Sequence, residues 1–213
     1  MDKATLKNIR LLAPGIIVLV CLLPCIKLFN FISAAEKLPD GIILILLTFV
    51  AQIIGGTYYG FDMRNLLWRN VVLDFRDIVW AKMIIPNEHD PRIPQGIGRL
   101  NKKQAMRIFY NIIDNDPSLS DQAHDIRLNG AVLTTIIDSI LITGFFFVTY
   151  LIAFLITRNY IFFWSSMVIA PPHSLLWILK SRISKKHIKL EKEQIEVIIQ
   201  LHNDKVIDLI NKY

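Results

Sequence analysis

Side chains that could bind a metal ion occur at two places between residues 62 and 127. Glu88, His89 and Asp90 are consecutive in a proline-rich stretch, and His124 and Asp125 follow later in the chain. Carboxylate and imidazole groups suit a divalent cation, and a cation beside a membrane could activate water for attack on a lipid phosphate. The spacing matches no zinc or calcium signature. A metal-dependent lipid enzyme is therefore the weakest of three functional hypotheses, and no cofactor is expected.

A second group of interest, Pro171, Pro172 and His173, stands inside an apolar stretch. A proline has no backbone N–H, so the carbonyls of Met167 and Val168 lose their helical donors. Bare carbonyls are costly in lipid, and the sequence therefore predicts a kink that faces protein or water. The candidate donors to these carbonyls are water, a neighbouring helix, or the hydroxyls of Ser165, Ser166 and Ser174.

Two interpretations of this motif remain open. In the structural one, the kink bends the last apolar helix to fit its neighbours and directs the C-terminal segment. In the functional one, it forms a gate or a hydrated pocket with His173 as a pH-sensitive element. Asp138 carries the same ambiguity, because it is either an interfacial carboxylate paired with a basic residue or part of a proton or cation pathway. The pore or gating candidates are Gln52, Asp138, Pro171, Pro172 and His173.

Small residues in the second apolar stretch predict close helix contact. Gly56 and Gly60 are four residues apart, the spacing that lets helix backbones approach in membranes. The contact is expected either within one chain or between copies of it.

Four apolar stretches must position these side chains. Hydrophobic residues make up 53% of the 213 residues, and the mean hydropathy is +0.42. Residues 41–61, 139–157 and 159–179 carry no charge, and each stretch is close to the roughly 20 residues that a bilayer core requires. Residues 11–26 are shorter and are interpreted as a fourth span. A cleaved signal peptide remains the alternative for them, because basic residues precede the run.

The predicted fold is an all-α polytopic membrane protein with four transmembrane helices in two hairpins and a helical cytoplasmic layer. Residues 1–61 form the first hairpin, 62–127 a cytoplasmic helical segment, 128–179 the second hairpin, and 180–213 a C-terminal amphipathic helix. With the N-terminus inside, 21 of the 24 Lys and Arg residues lie on the cytoplasmic side. The positive-inside rule therefore places both termini in the cytoplasm.

Two cytoplasmic helices carry apolar faces. Asn101 and Gln104 match a capping box and predict a helix whose buried face holds Ala105, Ile108 and Ile112. The C-terminal segment carries a stripe at helical spacing. That stripe needs a cover, which is the same stripe of another copy, the central segment, or the membrane surface. The predicted oligomer or partner interface consists of Ile188, Ile195, Ile199, His202, Val206 and Leu209.

These patterns favour a non-enzymatic, oligomeric membrane subunit that acts as an anchor, sensor or pore for a cytoplasmic protein partner. A stand-alone ion channel or permeation effector is the alternative. The expected location is the bacterial inner (plasma) membrane, in contact with membrane lipid, and a stress or antiviral defence setting is a prior guess for proteins of this shape. The net charge of +6 reflects topology, so a nucleic-acid partner is unlikely.

Overall fold

The computed structural model describes residues 3–28, 40–61, 67, 75–87, 90–93, 100–116 and 119–212. Within these ranges the regular structure is helical and no β-strand occurs, which confirms the predicted all-α class. The long helices are α1 (Lys3–Leu28), α2 (Asp40–Gly60), α3 (Lys102–Asn115), α4 (Ser120–Thr157) and α5 (Tyr160–Ile210). Residues 75–79 are also helical, and they continue into a π-helical turn (Trp80–Ile84) and a 3₁₀ turn (Ile85–Asn87).

Three helices are long and apolar enough to cross a membrane. Their apolar segments are Asn8–Cys25 in α1, Ala123–Thr157 in α4 and the stretch that begins at Tyr160 in α5. The described side chains of α2 give a shorter apolar run, Ile45–Gly60. Length and composition therefore support a membrane protein.

The chain divides into two compact units. Unit 1 holds the described residues up to Leu67 together with Ala131–Arg182, and unit 2 holds those of Trp68–Gly130 and Ile183–Tyr213. The predicted hairpins 1–61 and 128–179 lie largely in unit 1, and the predicted cytoplasmic segments 62–127 and 180–213 lie largely in unit 2.

In unit 1, α1 and α2 touch through backbone atoms. A Cβ atom on Gly15 would overlap the carbonyl oxygen of Ala51, and one on Gly55 would overlap the carbonyl oxygen of Leu11. A Cβ atom on Gly56 or Gly60 would meet nothing within 4 Å among the described residues. The close contact within the chain therefore uses Gly55 instead of the predicted Gly56 and Gly60, for which contact between copies stays a prediction.

Helices α4 and α5 of unit 1 are joined by Arg158 and Asn159. Arg158 has a left-handed backbone (φ 57°), and the Asn159 side chain accepts a hydrogen bond from the Ile161 N–H at 3.0 Å, which caps the start of α5. Aromatic rings then pair the two helices in reverse order. Tyr150 stacks on Phe162 with ring centroids 6.0 Å apart, and Phe154 packs on Phe163 at 5.3 Å.

Unit 2 has its own hydrophobic core. The predicted capping box is confirmed, since the Gln104 N–H donates to the Asn101 side chain at 2.9 Å and the Asn101 N–H donates back at 2.8 Å. The expected apolar face of α3 is buried as well. The core includes Val79, Met83, Ile84, Ala105, Ile108, Phe109, Ile112, Leu119, Ile195, Ile198, Val206 and Ile207.

The central segment covers the C-terminal stripe. Ile195 and Val206 are fully buried in the unit 2 core, and Ile199 and Leu209 pack against it from partly buried positions. This corrects the prediction for Ile195 and Val206, which are core residues of their own chain and are not exposed to a partner. Ile188 and His202 are half-buried.

The backbone of α5 leaves helical geometry at His202 (φ −132°, ψ 21°), whereas Pro171 and Pro172 keep helical backbone angles. A proline ring fixes φ near the helical value, so these angles leave the kink at the two prolines a prediction. At the break, His202 Nδ1 lies 3.3 Å from Asp116 Oδ2, and Asn87 Nδ2 donates to Asn203 Oδ1 at 3.2 Å. Polar tertiary contacts, and not prolines, therefore accompany the non-helical geometry.

Candidate functional site

Four buried polar side chains follow one another along α4 in unit 1. Thr134, Asp138, Ser139 and Thr143 are all buried, and Asp138 is only 1% exposed. They cover about 14 Å of the helix at 1.5 Å per residue. Polar and ionisable side chains inside membrane helices are rare and usually mark function. These four residues, with Tyr58 and His173 that bond to them, are called the polar seam below.

Asp138 is bound from α2. The Tyr58 hydroxyl donates a hydrogen bond to Asp138 Oδ1 at 3.2 Å. The other predicted pore residues are not gathered here, because Gln52, Pro171 and Pro172 are all exposed in the described structure. Of the five candidates, Asp138 and His173 have contacts to another helix in the described structure, Asp138 to Tyr58 of α2 and His173 to Thr143 of α4.

His173 belongs to a chain of hydrogen bonds that defines its tautomer. The Trp177 Nε1–H donates to His173 Nε2 at 3.2 Å, and His173 Nδ1 lies 2.8 Å from Thr143 Oγ1. An indole N–H can only donate, so Nε2 is the acceptor and Nδ1 carries the proton. The Thr143 hydroxyl in turn donates to the Ser139 carbonyl at 2.6 Å. The network therefore holds a neutral imidazole between α4 and α5.

The imidazole ring packs tightly at this place. A Cβ atom on Gly144 would lie 3.1 Å from His173 Cε1, so a glycine lets the ring approach α4. On the other side, Lys180 Nζ lies 4.8 Å from the centre of the Trp177 ring. Sequence reasoning missed Thr143, Gly144 and Trp177. The only sequence signal was the four-residue spacing of His173 and Trp177, which puts both on one helix face.

The serines near the two prolines bond other carbonyls than predicted. Ser165 donates to Ile161 O at 2.7 Å, Ser166 to Phe163 O at 2.7 Å, and Ser174 to Ala170 O at 3.0 Å. Each hydroxyl bonds to the carbonyl three or four residues before it, as serines in helices commonly do. These three hydroxyls therefore do not replace the lost donors of Met167 and Val168.

The metal candidates are not assembled within the part of the chain that the structure describes. Asp90 forms a fork with Arg92, whose Nε and Nη2 donate at 3.0 and 2.9 Å, and these hydrogen bonds hold the pKa of Asp90 below its ordinary value. His124 and Asp125 are exposed on α4, and no group of three His, Cys, Asp or Glu is placed to hold a metal there. Glu88 and His89 lie outside the described residues.

The surface of unit 2 carries ion pairs that join distant parts of the chain. Arg92 Nη1 donates to Asp204 Oδ1 at 2.7 Å, which ties the loop at residues 90–93 to the end of α5. Lys82 Nζ donates to Glu196 Oε1 at 2.6 Å, and this bond lowers the pKa of Glu196.

Comparison of the chain with known protein families, with curated proteins and with solved structures finds no match. The functional argument therefore rests on the geometry of the two units.

Proposed function

We propose that the protein is a non-enzymatic integral membrane subunit that senses a change in the membrane and passes it to a cytoplasmic protein partner. In this proposal, α1, α2 and the apolar parts of α4 and α5 are four spans arranged as two hairpins. Both chain ends face the cytoplasm, as the distribution of Lys and Arg favours. The membrane would be a bacterial inner membrane.

The observation that carries the proposal is that two helices belong to both units. Helix α4 has its first residues in unit 2 and the rest, from Ala131, in unit 1, and α5 passes from unit 1 to unit 2 after Arg182. The same helices therefore bear the polar seam and part of the unit 2 core. Hydrogen-bonded helix between two packed regions supports the transmission of a displacement from one region to the other.

Unit 2 supports the partner-binding part of the proposal. Its core is closed by its own α5 stripe, and its described surface carries Lys82, Arg92, Asp204 and Glu196 in exposed ion pairs. A folded cytoplasmic unit with a charged surface suits the recognition of another protein. Homo-oligomers are common among such subunits, and exposed apolar residues of the spans, such as Phe145 and Ile156, could pack between copies.

The mass of the detergent-solubilised protein, with and without co-purifying proteins, tests this proposal. We expect a multiple of the 24.6 kDa chain together with a stoichiometric partner. A reporter fused after Tyr213 should be active only in the cytoplasm. A monomer without a partner, or a reporter active on the opposite side, contradicts the proposal.

The polar seam favours permeation as a second candidate function. Asp138 lies on α4, which also buries Thr134 and Thr143, and His173 of α5 bonds to Thr143. Ionisable side chains of this kind can relay protons through a membrane protein. Purified protein in liposomes should then dissipate an imposed pH gradient, and Asp138→Asn should abolish the flux. Gln52→Ala serves as the control, because Gln52 is exposed and outside the seam. Liposomes that stay tight with the wild-type protein rule this candidate out.

A further inference from the structure

A cavity of about 960 Å³ lies in unit 1 between α1, α4 and α5. Its size is at the upper end of the roughly 300–1,000 Å³ typical of small-molecule sites. Aliphatic and aromatic side chains form most of its wall, and none of the lining residues among those described is charged. Val20 and Val168 in this wall are 58% and 72% exposed, so the cavity opens at the surface that a bilayer would cover.

Two proline pairs place backbone acceptors at this cavity. Val20 and Pro24 of α1 both line it, and so do Val168 and Pro172 of α5. In each pair the proline stands four residues after the valine and cannot donate to its carbonyl. Each valine carbonyl therefore lacks its regular helical donor at the wall of the same cavity.

Two hydroxyl oxygens of the lining add to these acceptors. Thr143 and Ser165 both line the cavity, and each already donates its proton to a carbonyl of its own helix, Ser139 O and Ile161 O. Ser165 Oγ therefore has only lone pairs to offer, and Thr143 Oγ1, which also accepts from His173 Nδ1, keeps one lone pair. The lining donors Tyr160 and Trp164 are 69% and 63% exposed, and the buried Cys21 thiol is only a weak donor. The buried polar groups of the wall are therefore mainly acceptors.

The chemistry of a matching ligand follows from this wall. A long apolar body would fill the volume, and a hydrogen-bond donor would satisfy the acceptors. An anionic head is disfavoured because the wall has acceptors and no cation, and a charged amine would lack a counter-charge. We propose that the cavity binds an uncharged lipid with a free hydroxyl group, of the diacylglycerol class. This site is independent of the proposed sensing role, because it requires neither a partner nor an oligomer.

The test uses two photoactivatable probes in liposomes that contain the purified full-length protein. One probe is dioleoylglycerol with a diazirine on an acyl chain, and the other is the same lipid with its hydroxyl acetylated. We expect the free alcohol to bind about tenfold more tightly, since tenfold corresponds to roughly one hydrogen bond of 1.4 kcal/mol. Cross-links should fall on α1 and α5 near Val20 and Val168. Equal binding of both probes, or cross-links elsewhere in the protein, overturns the proposal.

Two matched proline variants test the acceptor argument. Pro172→Ala restores an N–H that can bond the Val168 carbonyl, so the preference for the free alcohol should fall about threefold or more. Pro171→Ala restores a donor for Met167, which does not line the cavity, so the preference should stay unchanged. An equal response of the two variants contradicts the proposal.

A third pair of variants tests the location. Val168→Trp should fill the mouth of the cavity and reduce cross-linking by either probe about tenfold. Val148→Trp adds the same bulk at a position on α4 that is 52% exposed and outside the cavity, and it should have no effect. If Val168→Trp leaves cross-linking unchanged, or if the wall cross-links to a second protein copy in place of lipid, the proposal is wrong. Neither result affects the oligomer mass or the topology that test the sensing role.

Discussion

His173 is held by one neighbour on its own helix and one on α4. Trp177 donates to Nε2, and Nδ1 lies within hydrogen-bond distance of Thr143. A side chain without ring nitrogens at this position would therefore leave both Trp177 and Thr143 without this partner.

The hydrogen bond from Trp177 to His173 leads to a first prediction. In a variant that keeps Trp177 and replaces Trp68, Trp80 and Trp164 with Phe, His173→Leu should change the fluorescence emission, because the indole loses its hydrogen-bond acceptor.

His202→Leu, a histidine substitution in unit 2, is the control and should leave the Trp177 emission unchanged. The same emission before and after His173→Leu would show that Trp177 does not bond to His173.

Gly55 and Gly56 are neighbours with opposite surroundings, which leads to a second prediction. Gly55→Ala should lower the free energy of unfolding of the detergent-solubilised protein by about 2 kcal/mol or more. The new Cβ atom would overlap the backbone carbonyl of Leu11, which cannot move aside. A Cβ atom at position 56 would meet nothing within 4 Å among the described residues. Gly56→Ala should therefore be neutral or slightly stabilising, because alanine favours helix. Equal effects of the two substitutions would contradict the α1–α2 packing.

The small residues at the end of α2, Gly55 among them, were recognised from the sequence as allowing close helix contact, but the spacing singled out Gly56 and Gly60. The four-residue spacing of Gly56 and Gly60 is a valid signal for close packing, but the face that α1 touches depends on how the two helices are rotated. That rotation involves Gly15 and Ala51, which are far apart in the chain. Likewise, His173 stood out in the sequence, whereas Thr143 became visible only when α4 and α5 were paired.

At the scale of elements, local signals performed best. The capping box of α3 and its apolar face were predictable because they depend on residues within three or four positions of each other. The α5 stripe was also recognised, and the central segment was one of three candidate covers for it. The sequence left the choice open, since it depends on contacts between segments about 90 residues apart. The proline kink stays a prediction, because helical φ/ψ values at Pro171 and Pro172 do not determine whether the helix axis bends there.

The burial of the stripe predicts which α5 residues hold unit 2 together. Ile195→Ala should reduce the free energy of unfolding by about 2–5 kcal/mol, because it leaves a cavity in a closed core. Leu201→Ala should have little effect, since Leu201 is 71% exposed. Denaturation in detergent, followed by Trp80 fluorescence, measures the free energy of unfolding of both variants. Similar decreases in the two variants would mean that Ile195 is not a core residue.

The Arg92 cluster predicts how acid affects unit 2. Hydrogen bonds from Arg92 lower the pKa of Asp90 below its ordinary 3.8, so the ionised carboxylate is favoured in the folded state. A lowered folded pKa contributes stability above the unfolded value, and this contribution is lost as the pH falls through the folded value. The double variant Asp90→Asn, Asp204→Asn should therefore melt below wild type at pH 7, and the gap should shrink below pH 3.8.

Asp208→Asn, an exposed change on the same helix, is the control and should melt like wild type at both pH values. A gap between wild type and the double variant that persists at the lowest pH would show that these carboxylates do not contribute through their charge.

At the scale of the whole molecule, the prediction of a membrane protein depended on composition. Long charge-free runs indicated a membrane protein, and three helices of the structure have the required length and apolarity. The division into two compact units was implicit in the alternation of apolar and amphipathic segments, because each kind of segment needs partners of its own kind. No short motif specified a chemistry, so the polar seam and the cavity emerged only from contacts between helices.

The fate of the N-terminal segment is a prediction at this scale. Helix α1 packs on α2 at Gly15 and contributes Cys21 to the unit 1 core, so it should be retained in the mature protein. Peptide mapping by mass spectrometry of protein from membranes should find the α1 residues still joined to α2. Protein that begins after α1 would support the signal-peptide alternative.

The short connection at Arg158 and Asn159 restricts how α4 and α5 can move. Two residues leave no slack, and the ring stack of Tyr150 on Phe162 opposes sliding along the helix axes. Tilting about this pivot is the remaining freedom, and its amplitude increases with distance from the connection. Thr143 and His173 lie about 22 Å away at 1.5 Å per residue, so a tilt of about 5° would separate them by roughly 2 Å. That separation is enough to break their hydrogen bond, and the pair can therefore report a small scissor motion of the two helices.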